Sequence, residues 1–133
     1  MADSDIIDHT IFDQLLEMDE EDEERTFSKE IVLNYFEQAE STFANMDSSL
    51  ASKDLPALSR LGHFLKGSSA ALGLSKVKAS CEKIQHYGNL KDEKGSGSIS
   101  EEDGLAKIAK LLEQTKEEYK EAETYLKKFY GTT

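Results

Sequence analysis

Between residues 105 and 129 the side chains Leu105, Ile108, Leu112, Thr115, Tyr119, Ala122, Leu126 and Phe129 recur at alternating intervals of three and four. That spacing makes one face of a long α-helix and is incompatible with a strand, whose side chains repeat every second residue. A helix so one-sided must be covered by other elements. The same period runs through Val32, Tyr35, Phe36, Ala39, Phe43, Met46 and Leu50, and again through Val77, Cys81, Ile84 and Gly88. No segment carries a strand signal. The fold class expected is therefore all-α, an antiparallel four-helix bundle with an additional short N-terminal helix.

End signals divide the chain. Ser100 is the expected N-cap of the last helix, with Glu101, Glu102 and Asp103 in its first turn and Gly131 beyond its end. Asp54 is the expected cap of the third helix, which tolerates Pro56 in its first turn, and Gly73 ends that helix. Ser75 is read as the cap of the next. The expected helices cover about 8–18, 27–51, 55–72, 76–88 and 101–129, in a single domain of 133 residues. Residues 89–100 are charged and then Gly-Ser-rich, which reads as a flexible connection. The short first helix has two apolar stripes, Phe12 with Leu16 and Ile11 with Leu15 and Met18. One suffices for docking; the other is open to a partner or fills a wider groove in the core.

Composition removes several classes of function. A net charge of -11 opposes a polyanion partner, so no nucleic-acid binding is expected. No run reaches the ~20 apolar residues of a membrane span, and the N-terminus lacks the sections of a signal peptide, so a soluble, non-secreted protein is expected, with no membrane partner. Cys81 is the single cysteine and lies on an apolar face, which suits core packing in a reducing compartment. The acidic run 19–24 reads as a solvated linker or a steering patch for a basic surface.

The chemistry is sought on the segment LPALSRLGHFLKGSSAALG. At ~100° per residue, Leu55, Leu61, Leu65, Ser69 and Leu72 cluster with Leu58, and Gly62 admits a neighbouring helix. His63 lies about 140° from Leu58, on the outward side with Arg60, Gly67, Ala70 and Ala71, and Lys66 falls between the faces at about 80°. Outward helix positions usually hold long charged side chains, so a histidine in a clearing of small ones is unusual. Gly67 costs the helix about 1 kcal/mol relative to alanine where no bend or cap requires it. Access to the imidazole compensates. A neutral imidazole offers a nitrogen nucleophile toward phosphorus, and Lys66, one turn on, can reach a negative charge placed there. His9 and His86 have no comparable surroundings and are given no role.

The run His63-Phe64-Leu65-Lys66-Gly67-Ser68-Ser69-Ala70-Ala71-Leu72-Gly73 closely resembles the signature of histidine-containing phosphotransfer domains, especially the fungal osmosensing phosphorelay intermediates. The likeness continues through Cys81-Glu82-Lys83-Ile84-Gln85 and Gly88. The resemblance implies a bundle with a covering N-terminal helix, phosphorylation on His63, and hydrogen bonds from Lys66 and Gln85 to the imidazole or its phosphate. Gly67 keeps the approach open, and Ser68 and Ser69 pack with hydroxyls bonded to preceding carbonyls. It also implies a docking patch of Ile11, Leu15, Met18, Phe27, Ile31 and Phe64 for receiver domains of a hybrid sensor histidine kinase and of response regulators. Cytoplasmic and nuclear location in osmotic stress signalling is implied too. Asn89 departs from relatives in which a basic residue follows the glycine.

No Gly-rich phosphate loop is present, so self-phosphorylation from ATP is not expected. The expected protein is a covalent phosphoryl carrier in a His-Asp-His-Asp phosphorelay rather than a self-sufficient enzyme. It carries no cofactor or metal of its own, Mg²⁺ belongs to the partner, and the exposed face and charge favour a monomer. Two rivals are a scaffold bundle whose small-residue face merely docks a protein, and a metal-binding bundle. The second lacks an inward Glu-x-x-His pair.

Overall fold

A computed structural model describes residues 7–17, 26–92 and 94–131. These form five helices: α1 His9–Glu17, α2 Thr26–Ala51, α3 Leu55–Leu72, α4 Ser75–Gly88 and α5 Glu101–Tyr130. Among the described residues none belongs to a strand longer than one isolated bridge, Lys91 to Ser98. No described helix is long and apolar enough to cross a membrane.

The expected stripes face one core. Val32, Tyr35, Phe36, Ala39, Phe43 and Met46 of α2 meet Leu58, Leu65 and Leu72 of α3, Val77, Cys81 and Ile84 of α4, and Ile108, Leu112, Tyr119 and Leu126 of α5. Phe43 and Phe36 set their rings edge-on to Tyr119, the geometry favoured by the ring quadrupole. Phe129, expected at the end of the buried stripe, is 37% exposed and sets its ring edge-on to that of the buried Phe12 of α1. α1 is anchored further by Ile7 in the core, and by the Asp8 N–H donating to the Gly73 carbonyl at 2.6 Å.

Three caps fall where the sequence placed them. Asp54 accepts from the Ala57 N–H at 3.1 Å, Ser100 accepts from that of Asp103 at 3.2 Å, and Gly73 ends α3 with φ +78°. Ser75 does not cap α4: it is the first helical residue, after an N-cap Leu74 that is fully buried. The burial of Leu74 against the core sets that boundary in place of a side-chain hydrogen bond.

The connection 89–100 is more ordered than its composition suggests. Asp92 gathers the N–H groups of Lys94, Ser96 and Gly97 on its carboxylate at 3.0 Å each, and the Ile99 N–H donates to the Leu90 carbonyl at 3.0 Å. Leu90 and Ile99 pack against the core. Polar glycine- and serine-rich composition signals the turn, while this single carboxylate organises it.

Candidate functional site

α3 and α4 pack more closely than any other pair, because glycine removes side chains from their seam. A Cβ on Gly62 would lie 2.9 Å from the Cys81 carbonyl oxygen and 3.1 Å from the Gln85 nitrogen. The resulting approach sets Lys66 of α3 opposite Gln85 of α4, and the Lys66 Nζ donates to Gln85 Oε1 at 3.1 Å. Both residues are half-buried, whereas His63 is exposed. No hydrogen bond or ion pair engages the His63 side chain among the described residues, so Lys66 and Gln85 bond to each other and not to the imidazole. Of the two expected partners, imidazole or phosphate, the unmodified ring is engaged by neither residue.

Gly67, one turn after His63, is exposed, and a Cβ placed on it would meet nothing within 4 Å. The fold itself therefore has no use for glycine there, in contrast to Gly62. Ser68 donates to the Phe64 carbonyl at 3.2 Å, as expected. Ser69 instead pairs with the Tyr35 hydroxyl at 2.8 Å inside the core. Burial, only partly offset by that bond, raises the Tyr35 phenol above its usual range.

The six expected docking residues divide. Phe27 and Phe64 are 49% and 48% exposed, unusual for phenylalanine on a free surface, and Ile11 and Ile31 are half-buried. Leu15 is only 7% exposed and belongs to the core, so its expected place in an open patch is corrected: α1 turns Leu15 inward along with Phe12. Met18 lies outside the described residues, as does the acidic run. Clefts flank the outward face of α3, one toward α2 lined by Asn34, Gln38, Ser68 and Ala71, the other toward α1 and α4 lined by Ile11, Ala70, Lys78 and Glu82. Sequence reasoning missed Leu33, another exposed apolar side chain, and the Ser59 hydroxyl, which donates to Asn89 Oδ1 at 2.9 Å.

Cys81 is fully buried and its thiol is pushed up to about 12, first by burial and then by the Glu118 charge. It is a packing residue. Among the described residues no group of three or more His, Cys, Asp or Glu side chains is placed to hold a metal ion.

The comparisons with known proteins agree with this arrangement. Residues 30–118 match the model of the Hpt domain. The chain is 54% identical over 131 residues to Multistep phosphorelay regulator 1 of Schizosaccharomyces pombe, covering 98% of this chain but 44% of that protein, so it spans less than half of that relative's length. It is 36% identical over 162 residues to Phosphorelay intermediate protein YPD1 of Saccharomyces cerevisiae, covering 97% and 96% of the two chains. The structure superimposes with a TM-score of 0.83, at 37% identity and 99% coverage of each chain, on S. cerevisiae Ypd1 crystallised with the receiver domain of its downstream response regulator Ssk1. With a family match over two thirds of its length, laid on helices that expose the one histidine bordered by small residues, this chain belongs to the Hpt domain family.

Proposed function

We propose that this chain is a histidine phosphotransfer protein that takes a phosphoryl group onto His63 from the aspartate of a receiver domain in a hybrid sensor kinase and returns it to the aspartate of a response regulator. The observation that carries the reading is the exposed, unbonded His63 imidazole beside Gly67, with open space where a side chain would stand and a cation held at the edge by Gln85. A relative of closely similar fold was crystallised with a receiver domain, which supports a partner of that class.

In the transfer, a nitrogen lone pair of the neutral imidazole forms the N–P bond as the acyl-phosphate P–O bond of the partner breaks, and the partner carboxylate leaves with the electron pair. The second ring nitrogen keeps its proton, so no base is needed in this chain. Mg²⁺ in the receiver neutralises charge on the phosphoryl oxygens. Lys66 adds positive charge from this side, and Phe27 and Phe64 supply apolar contact to the docked domain. The chain is then a carrier and not a self-sufficient enzyme, folded as one antiparallel four-helix bundle covered by α1, monomeric, and working in the cytoplasm and nucleus in osmotic stress signalling.

The test is to incubate the protein with a radiolabelled phosphorylated receiver and Mg²⁺. Label should move to the wild-type chain and not to His63→Gln, which should still bind the receiver. Transfer to His63→Gln would mean another acceptor residue, and a relay that works with that variant unlabelled would favour a scaffold; either result ends this reading.

A further inference from the structure

Two polar pairs join α3 to α4 beside His63. Lys66, three residues after His63, meets Gln85; Ser59, four residues before it, meets Asn89 with its Oγ donating to Oδ1 at 2.9 Å. Gln85 and Asn89 are themselves four apart, so the pairs repeat with the helical pitch and His63 stands between them. Backbone contact fixes this register, since a Cβ on Gly88 would lie 2.7 Å from the Ser59 nitrogen and 2.9 Å from the Leu55 carbonyl oxygen. Asn89 also closes α4, its N–H donating to the Gln85 and His86 carbonyls at 3.1 and 3.0 Å. Its side chain therefore starts from a fixed backbone.

An asparagine amide offers one acceptor oxygen and two donor protons. Ser59 is buried and occupies the oxygen, which orients the group, and no other partner engages the exposed Asn89 side chain among the described residues. Residues three or four apart on a helix hold their Cβ atoms about 5–6 Å apart, so the amide held by Ser59 is within reach of a substituent on the His63 ring. A phosphoryl group is such a substituent, with several strong acceptor oxygens. A phosphoryl group on His63 would stand between Lys66, three residues on, and the amide tied to Ser59, four residues back.

We propose that Asn89 donates a hydrogen bond to the phosphoryl group carried by His63, and that Ser59 is the positioning residue that holds the amide for it. This rests on the carrier reading of His63. The experiment measures how a radiolabelled phosphoryl group partitions at equilibrium between the chain and a receiver domain with Mg²⁺, for wild type, Asn89→Ala, Asn89→Asp and Ser59→Ala. Receiver affinity and thermal melting are followed alongside.

Asn89→Ala should shift the partition away from phosphorylated His63 by about fivefold, and Ser59→Ala in the same direction by less. Asn89→Asp should shift it furthest, because it keeps an acceptor for Ser59 while replacing both donors with negative charge. A purely structural tie gives another order, with Asn89→Asp at the wild-type partition. Either Asn89 variant partitioning as wild type does overturns the proposal while leaving the carrier reading intact. Wild type that takes no phosphate overturns both.

Discussion

Lys66 and Gln85 face each other across the seam of α3 and α4, the lysine Nζ donating to the amide oxygen at 3.1 Å, so a cation one turn from His63 is held in the unmodified chain. Preorganisation of this kind lowers the ordering cost of the charged state. Gln85→Ala should leave the melting temperature almost unchanged, because the pair is partly solvated, and should shift the phosphoryl equilibrium away from His63 by a few-fold. Lys66→Ala should do more. In a double-mutant cycle the two losses should be less than additive, since Gln85 acts through Lys66.

Gly67 and Gly62 should respond oppositely to alanine. Open space surrounds Gly67, so Gly67→Ala should stabilise the protein by about 0.5–1 kcal/mol in denaturant unfolding through helix propensity alone. Transfer from a receiver should nevertheless slow about tenfold, as the added methyl stands where the partner approaches. Gly62→Ala should destabilise by about 1–3 kcal/mol, because its Cβ would lie 2.9 Å from a backbone oxygen.

Cys81 should be inert while the protein is folded. Its thiol is pushed up to about 12 by burial and by Glu118, so at pH 8 the thiolate is roughly one part in 10⁴. A disulfide-exchange reagent should label it at the rate of opening, and fast labelling in native buffer would contradict its burial.

Asp92 ties the 89–100 connection to pH. The N–H groups of Ser96, Lys94 and Gly97 hold its carboxyl below the usual range for an aspartic acid. A depressed folded value means the loop order is fully present above the ordinary carboxyl value of about 3.9 and is lost as pH falls through the lower folded value. Amide exchange at residues 94–97, compared with an unstructured peptide, should show protection at neutral pH. Asp92→Ala should remove it without altering phosphoryl transfer.

Much of the fold was legible because long helices advertise themselves. The stripe from Leu105 to Leu126, the Asp54 and Ser100 caps and the left-handed Gly73 all act locally, within one turn of chain. The clearing around His63 was legible for the same reason. What was not legible depends on a second element: Leu15 turns inward only because of what α1 packs against, and Ser69 finds Tyr35 from 34 residues away. The Ser59–Asn89 pair spans 30 residues and exists only in the register that Gly62 and Gly88 allow. Composition likewise misjudged residues 89–100, since no average property shows one carboxylate collecting three N–H groups.

The central claim is that His63 is the atom-bearing site of transfer, and mass spectrometry of the chain after reaction with a phosphorylated receiver and Mg²⁺ tests it most directly. One acid-labile, alkali-stable phosphoryl group should be found on the peptide containing His63, and none on the His63→Gln variant. Phosphate on another residue, or an unmodified chain beside a receiver that remains phosphorylated, would contradict the account.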